Sequence, residues 1–222
     1  MRYIPFAVVV VVFGSATIVA NADTSSPKSE EAAVDKAVNL CSACHGPRGV
    51  STSPEFPTLA GQREAYLITQ MKAFRNRSRA DKEAHQYMWG IAAQLDDVAI
   101  EGIARYYSVQ PPPPARPVNE ALAVQGSELF HQGIPHRGIP ACATCHGQNA
   151  EGDAEKPRLA GQHAKYVDKQ LRYIQMQQRD PLAMRGILKD LSPLEREAVA
   201  TYVQSLGPQA SLGSAALNEH RR

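Results

Sequence analysis

Cys41-Ser42-Ala43-Cys44-His45 recurs in the second half of the chain as Cys142-Ala143-Thr144-Cys145-His146. Two cysteines three positions apart on a helical turn place both sulfurs on one face, where they can form thioethers to the two vinyl groups of one haem; the adjoining histidine can bind its iron. The pattern reads as covalent c-type haem attachment, twice. A zinc site would not require a histidine directly after each pair, and a thioredoxin-like redox pair normally sits in a βαβ pattern.

Each histidine fills one axial position of its iron, and the opposite position decides function. A second strong ligand makes an electron carrier, whereas an empty position permits substrate chemistry. Met88-Trp89-Gly90-Ile91 aligns with Met184-Arg185-Gly186-Ile187, each just ahead of the last helix of its half, so Met88 and Met184 are matched candidates. Met71 and Met176 align with Leu171 and Asn76, neither a substitute for a thioether, and read as packing residues. His85 is the rival to Met88, but its counterpart is Pro181, so it reads as a solvated loop residue. His131, His136 and His163 read as surface residues. The carbonyls of Pro57 and Pro157, shortly after the two haem histidines, are candidates to accept the Nδ1 hydrogens and fix the rings. The basic run Lys72, Arg75, Arg77, Arg79 and Lys82 reads as a solvated face.

Positioning these groups needs helices. Val34, Ala37, Val38 and Cys41 keep helical spacing, which puts the first motif at the end of an amphipathic helix. Tyr66, Leu67, Gln70, Met71 and Phe74 suggest a second helix, and Val98, Ile103, Ala104, Tyr106 and Tyr107 a third after the capping pair Asp96-Asp97. Pro57-Thr58-Leu59-Ala60-Gly61-Gln62 recurs as Pro157-Arg158-Leu159-Ala160-Gly161-Gln162, with Tyr66, Gln70 and Tyr106 repeated as Tyr166, Gln170 and Tyr202. The chain is an internal duplication. Ser192-Pro193-Leu194-Glu195 signals the start of the last helix. No strand pattern competes, so the expected fold is all-α, with two tandem haem domains over 23–109 and 119–208 joined by a proline-rich linker at 110–118.

With 222 residues and only 6% aromatics, each domain is short of large apolar side chains, and a buried porphyrin would supply the missing surface. All four cysteines fall in the motifs, leaving none for a disulfide, and a formal charge of +2 gives no sign of a nucleic-acid partner. Residues 1–22 read as a signal peptide: Arg2, an apolar run with five valines from Val8 to Val12, then Ala20-Asn21-Ala22. An uncleaved membrane anchor is the competing reading. The stretch 209–222 reads as a flexible tail.

In its two Cys-x-x-Cys-His motifs, paired Leu-Ala-Gly-Gln segments, two Met-x-Gly-Ile stretches, and Gly133-Ile134-Pro135 with Gly138-Ile139-Pro140-Ala141 leading into Cys142, the sequence resembles the cytochrome c4 family over residues 30–207. The resemblance implies two cytochrome c-like domains packed for electron exchange and a dihaem carrier of the bacterial periplasm. Cys41, Cys44, Cys142 and Cys145 would hold the two haem c groups, and His45, Met88, His146 and Met184 would be the axial iron ligands. It also implies redox partners, a quinol-oxidising complex and a terminal oxidase, with loose membrane association and no substrate chemistry of the chain's own. Two other roles remain open at this point: dedicated electron-transfer subunit of a periplasmic dehydrogenase, and dihaem peroxidase, against which the matched methionines argue.

Overall fold

The computed structural model describes residues 27–179 and 181–208, so the expected leader over 1–22 and tail over 209–222 lie outside the described residues. No helix among them is long and apolar enough to cross a membrane.

The first half contains α1 (Pro27–His45), α2 (Glu64–Arg75), a π-helical turn at Ala84–Met88 running into α3 (Trp89–Ala92), and α4 (Asp97–Ser108). The second contains α5 (Glu120–Gln132), α6 (Ala143–His146), α7 (Ala164–Gln175), α8 (Leu182–Leu188) and α9 (Pro193–Ser205). Extended pairing among the described residues is limited to isolated bridges at Ile134–Ile139 and Asp153–Lys156. The last helix of each half starts where its capping residues dictate. Asp96 accepts the Ala99 N–H at 2.8 Å, and Ser192 and Glu195 form a reciprocal capping box.

Each half buries its helices in the same way: α4 packs on α1 and α2, and α9 packs on α5 and α7. Val38, Leu67, Ile103, Ala104 and Tyr107 form one core, and Phe74, Ala84 and Ala92 a second small cluster beside it. The second domain closes around Phe130, Val167, Leu171, Ile174, Val199 and Val203. One difference separates the halves. The first motif continues α1 without a break, whereas a loop over 133–142 divides α5 from α6. Gly133, at φ +66, lets that loop close, because a Cβ there would overlap the Ile139 carbonyl. Arg137 fastens the loop to α9 through Glu195 and to the turn before α9 through the Asp190 carbonyl.

The two domains meet across a pseudo-two-fold axis. Gln162 accepts the Thr58 N–H at 2.9 Å and donates to the Thr58 carbonyl at 3.0 Å; Gln62 does the same to Arg158, the repeat equivalent of Thr58, at 2.7 and 3.0 Å. Beside them Arg79 donates to Gln70 and Gln170, both at 2.8 Å, and Arg179 donates to the same two oxygens at 3.1 and 2.9 Å. Each arginine also reaches a tyrosine of the other domain, Arg79 to Tyr166 and Arg179 to Tyr66. The linker runs over 111–119 without helix, with Pro112 and Pro113 packed so close to Gly61 and Gly161, both at positive φ, that neither glycine has room for a Cβ. Arg116 ties it down through the carbonyls of Gly161 and Ser51.

Two sequence expectations fail at this interface. Arg79, read as part of a solvated face, is only 7% exposed and ion-paired at 2.7 Å with Asp81, which is 1% exposed. Domain contact removes both from water, and a pattern read within one segment does not register that. Lys72 and Arg75 of the same run do stay near solvent, on Asp97. His163, read as a surface residue, is buried with Nε2 3.0 Å from the Ser51 carbonyl of the first domain.

Candidate haem sites

Helix α1 delivers Cys41 and Cys44 to successive turns of one face and ends on His45; in the second half Cys142 caps α6, which carries Cys145 and ends on His146. In each motif the first cysteine is half-buried and the second exposed. Burial pushes the Cys41 thiol up and the Cys142 thiol up to about 11, opposite to the lowered thiol of a redox-active pair. Among the described residues no three His, Cys, Asp or Glu side chains cluster as a structural zinc site would need.

Both histidines are buried, at 8% and 6% exposure. His45 Nδ1 lies 2.8 Å from the Pro57 carbonyl and His146 Nδ1 3.1 Å from that of Pro157, so each Nδ1–H donates to the oxygen expected from the sequence. Burial, outweighing that hydrogen bond, pushes both imidazoles below their ordinary pKa and keeps them neutral. With Nδ1 protonated, Nε2 carries the lone pair. It makes no hydrogen bond to any described residue in either ring, which is what an imidazole kept for a metal requires.

Met88 is half-buried against Phe74, Ala84 and Ala92, and Met184 is half-buried against the main core of the second domain, which Cys142 also borders. In the first domain Phe56 bridges the two sides, its ring edge-on to His45 at 6.2 Å and to Tyr87, beside Met88, at 5.7 Å. The matched methionines sit on different backbones, Met88 closing the π-helical turn and Met184 inside α8. The first half has a longer segment between arginine and methionine, and Asp81 and Trp89 anchor it, accepting the Ala84 N–H and donating to the Arg79 carbonyl. A π-turn at a binding segment is a recurrent arrangement. The other methionines fall where expected, Met71 packed beside Phe74 and Met176 exposed. His85 is exposed, on the π-turn rather than in a loop, with its ring edge-on to Trp89. His131 and His136 are exposed.

Two thiols, one neutral imidazole and one thioether per domain form a donor set that fits a covalently attached haem. The sequence profile of the Cytochrome c family matches residues 123–207. The chain is 37% identical to cytochrome c4 of Thiocapsa roseopersicina over 186 residues, 81% of this chain and 92% of that protein. The chain belongs to the cytochrome c4 family. The solved structure of cytochrome c4 from Acidithiobacillus ferrooxidans superposes with a TM-score of 0.72 at 38% identity, covering 76% of this chain and 99% of that one. A protein named thiosulfate dehydrogenase electron acceptor, from Thiomonas intermedia, is 34% identical over 84% of this chain and 88% of its own length. As a family member with two motifs, the chain carries two covalent haem c groups.

The residues that sequence reasoning missed are those of the interface: Gln62, Gln162, Arg79, Arg179, His163 and Arg116. Their signal was present in the repeat, since Gln62, Tyr66 and Gln70 all recur at matched positions. A single copy of a motif, however, does not say that its side chain reaches the other copy.

Proposed function

We propose that this chain is a periplasmic dihaem electron carrier, taking electrons from a quinol-oxidising complex and passing them toward a terminal oxidase, with His45 and Met88 holding one iron and His146 and Met184 the other. The observation that carries the reading is the paired arrangement of a buried, neutral histidine with unengaged Nε2 and a half-buried methionine at the matched repeat position. Each haem, when bound, supplies a one-electron couple between ferric and ferrous iron. Cys41, Cys44, Cys142 and Cys145 fix it by thioethers. The Pro57 and Pro157 carbonyls hold the imidazole rings in orientation, so that little has to move when the charge changes. A thioether opposite histidine favours the reduced state relative to a second histidine, as suits a carrier late in a respiratory chain. With His45 and Met88, and His146 and Met184, as the residues that would hold the two irons, neither iron would keep a position for a substrate such as peroxide.

A second reading is favoured by one observation, the similarity to a thiosulfate dehydrogenase electron acceptor along most of both chains. In it the chain serves a periplasmic dehydrogenase as its dedicated acceptor.

The deciding experiment is the ferric absorption spectrum of the purified holoprotein with Met88→Ala and Met184→Ala. Two methionine-to-iron charge-transfer bands, each lost with its own methionine, support six-coordinate carrier haems. One or none removes the double histidine–methionine assignment. Reduction by a quinol-oxidising complex, set against reduction by thiosulfate with its dehydrogenase, then separates the two partner readings.

A further inference from the structure

On one side of the pseudo-two-fold axis, the Ser51 carbonyl accepts from both His163 and Arg116. The equivalent place on the other side is lined by Gly61, Arg63, Ser108, Val109, Gln110, Pro111, Pro112 and Arg158, around a cleft of about 280 Å³. Here Arg63 stands where His163 does, with its Nε 2.9 Å from the Glu151 carbonyl, and Arg158 stands where Thr58 does. The substitution puts two guanidinium groups where the first side has one.

Arg158 is only 5% exposed, yet its Nε makes no hydrogen bond to any described residue, and an Nη reaches only the Gly207 carbonyl at a long 3.4 Å. A buried guanidinium with an unmet donor is costly. Its neighbours worsen the balance: burial and Arg63 disfavour the charge, and Glu151, whose carboxylate is turned to the Asn149 N–H at 2.9 Å, does not offset them. None of the haem-motif residues, Met88 or Met184 lines this cleft.

We propose that the Arg63–Arg158 cleft is a binding site for a dianionic tetrahedral oxyanion of the sulfate or phosphate class, which bridges the first domain and linker to the second domain. The two guanidiniums supply planar forks suited to oxyanion edges. At the rim the Ser108 hydroxyl is taken up by the Arg105 carbonyl, and the Gln110 amide, which gives one hydrogen to the Tyr106 carbonyl, keeps its second as a neutral donor. A monovalent spherical anion would satisfy the charge but not the separated donors.

The test is calorimetric titration of the holoprotein with sodium sulfate and with sodium phosphate, against sodium chloride at matched ionic strength. The expected result is saturable one-to-one binding of the tetrahedral anions. Arg158→Gln and Arg63→Gln should each weaken it about tenfold or more, in line with the loss of a charge-assisted hydrogen bond, and Arg105→Gln on exposed α4 should leave it unchanged. If Arg158→Gln fails to fold, Arg63→Gln carries the comparison, since that side chain is half-exposed and its loss leaves the Arg158 backbone contacts in place. No saturable binding to the holoprotein, as when a haem propionate already occupies the cleft, overturns the proposal. So does binding that neither cleft variant weakens.

Discussion

Gln62 and Gln162 make the same pair of hydrogen bonds in opposite directions, each clamping the N–H and carbonyl of one residue in the other domain. Both amides are buried, at 7% exposure, so each also shields the backbone groups it satisfies. Gln162→Ala should leave the Thr58 N–H and carbonyl unpaired and cost about 2–4 kcal/mol, with Gln62→Ala costing the same by symmetry. Urea unfolding of the holoprotein reads this directly. Equal losses are expected, together with a split into two transitions as the domains uncouple.

The Arg79–Asp81 pair makes a different prediction. Arg79→Gln removes the cation from beside a carboxylate that is 1% exposed and strips donors from both Gln70 and Gln170, so the loss should reach about 3–5 kcal/mol. Adding Asp81→Asn should recover much of it, because the uncompensated charge is then gone. A double-mutant cycle in thermal melts measures that recovery, and a purely additive cycle contradicts the coupling.

Acid should loosen one edge of the interface. Lys169 bridges Glu55 at 3.1 Å and Glu83 at 3.0 Å across the domain boundary, and Lys165 also pairs with Glu55. Hydrogen bonds from Lys165 and Lys169 hold Glu55 below its ordinary value of 4.5; burial pushes Glu83 up, but Lys169 and Tyr173 outweigh it and hold it below 4.5 as well. Lowered carboxylates contribute stability that is complete above pH 4.5 and lost as pH falls through their folded values. Interdomain distance by small-angle scattering should therefore increase on acidification below pH 4.5, and Lys169→Gln should show a weaker dependence in that window.

Helix crossings supply a fourth prediction. A Cβ on Gly126 of α5 would overlap the Ala198 carbonyl of α9, which is backbone and cannot turn aside, so Gly126→Ala should cost about 1–3 kcal/mol. Gly102→Ala on α4 meets a methyl of Val34 on α1, a side chain with few rotamers there but able to shift where backbone cannot, and should cost less. Comparing the two melting temperatures checks the order.

Much of the haem chemistry was legible in the sequence because it is local. The motifs, the proline carbonyls and the capping box of Ser192 each depend on residues close along the chain, and the structure places the hydrogen bonds of His45, His146 and Ser192 where spacing put them. The π-turn at Met88 was not legible. Alignment matched Met88 to Met184, but backbone pitch there depends on the side-chain anchors of Asp81 and Trp89. Burial of Arg79 and His163 was hidden for a related reason: both look polar and exposed on their own segments, and only the docking of one repeat on the other covers them.

The near-symmetry of the interface gives the linker a quantitative role. Two domains that meet through equivalent patches have the geometry of a homodimer, and a homodimer of separate haem domains would fall apart on dilution. Joining the patches through residues 111–119 replaces that concentration dependence with a fixed local concentration, on the order of millimolar for a short connection. The pairing of the two haem domains is thereby independent of how much protein the cell makes. Because each patch is already occupied by its twin, the closed arrangement also leaves no equivalent surface on which a third domain could add.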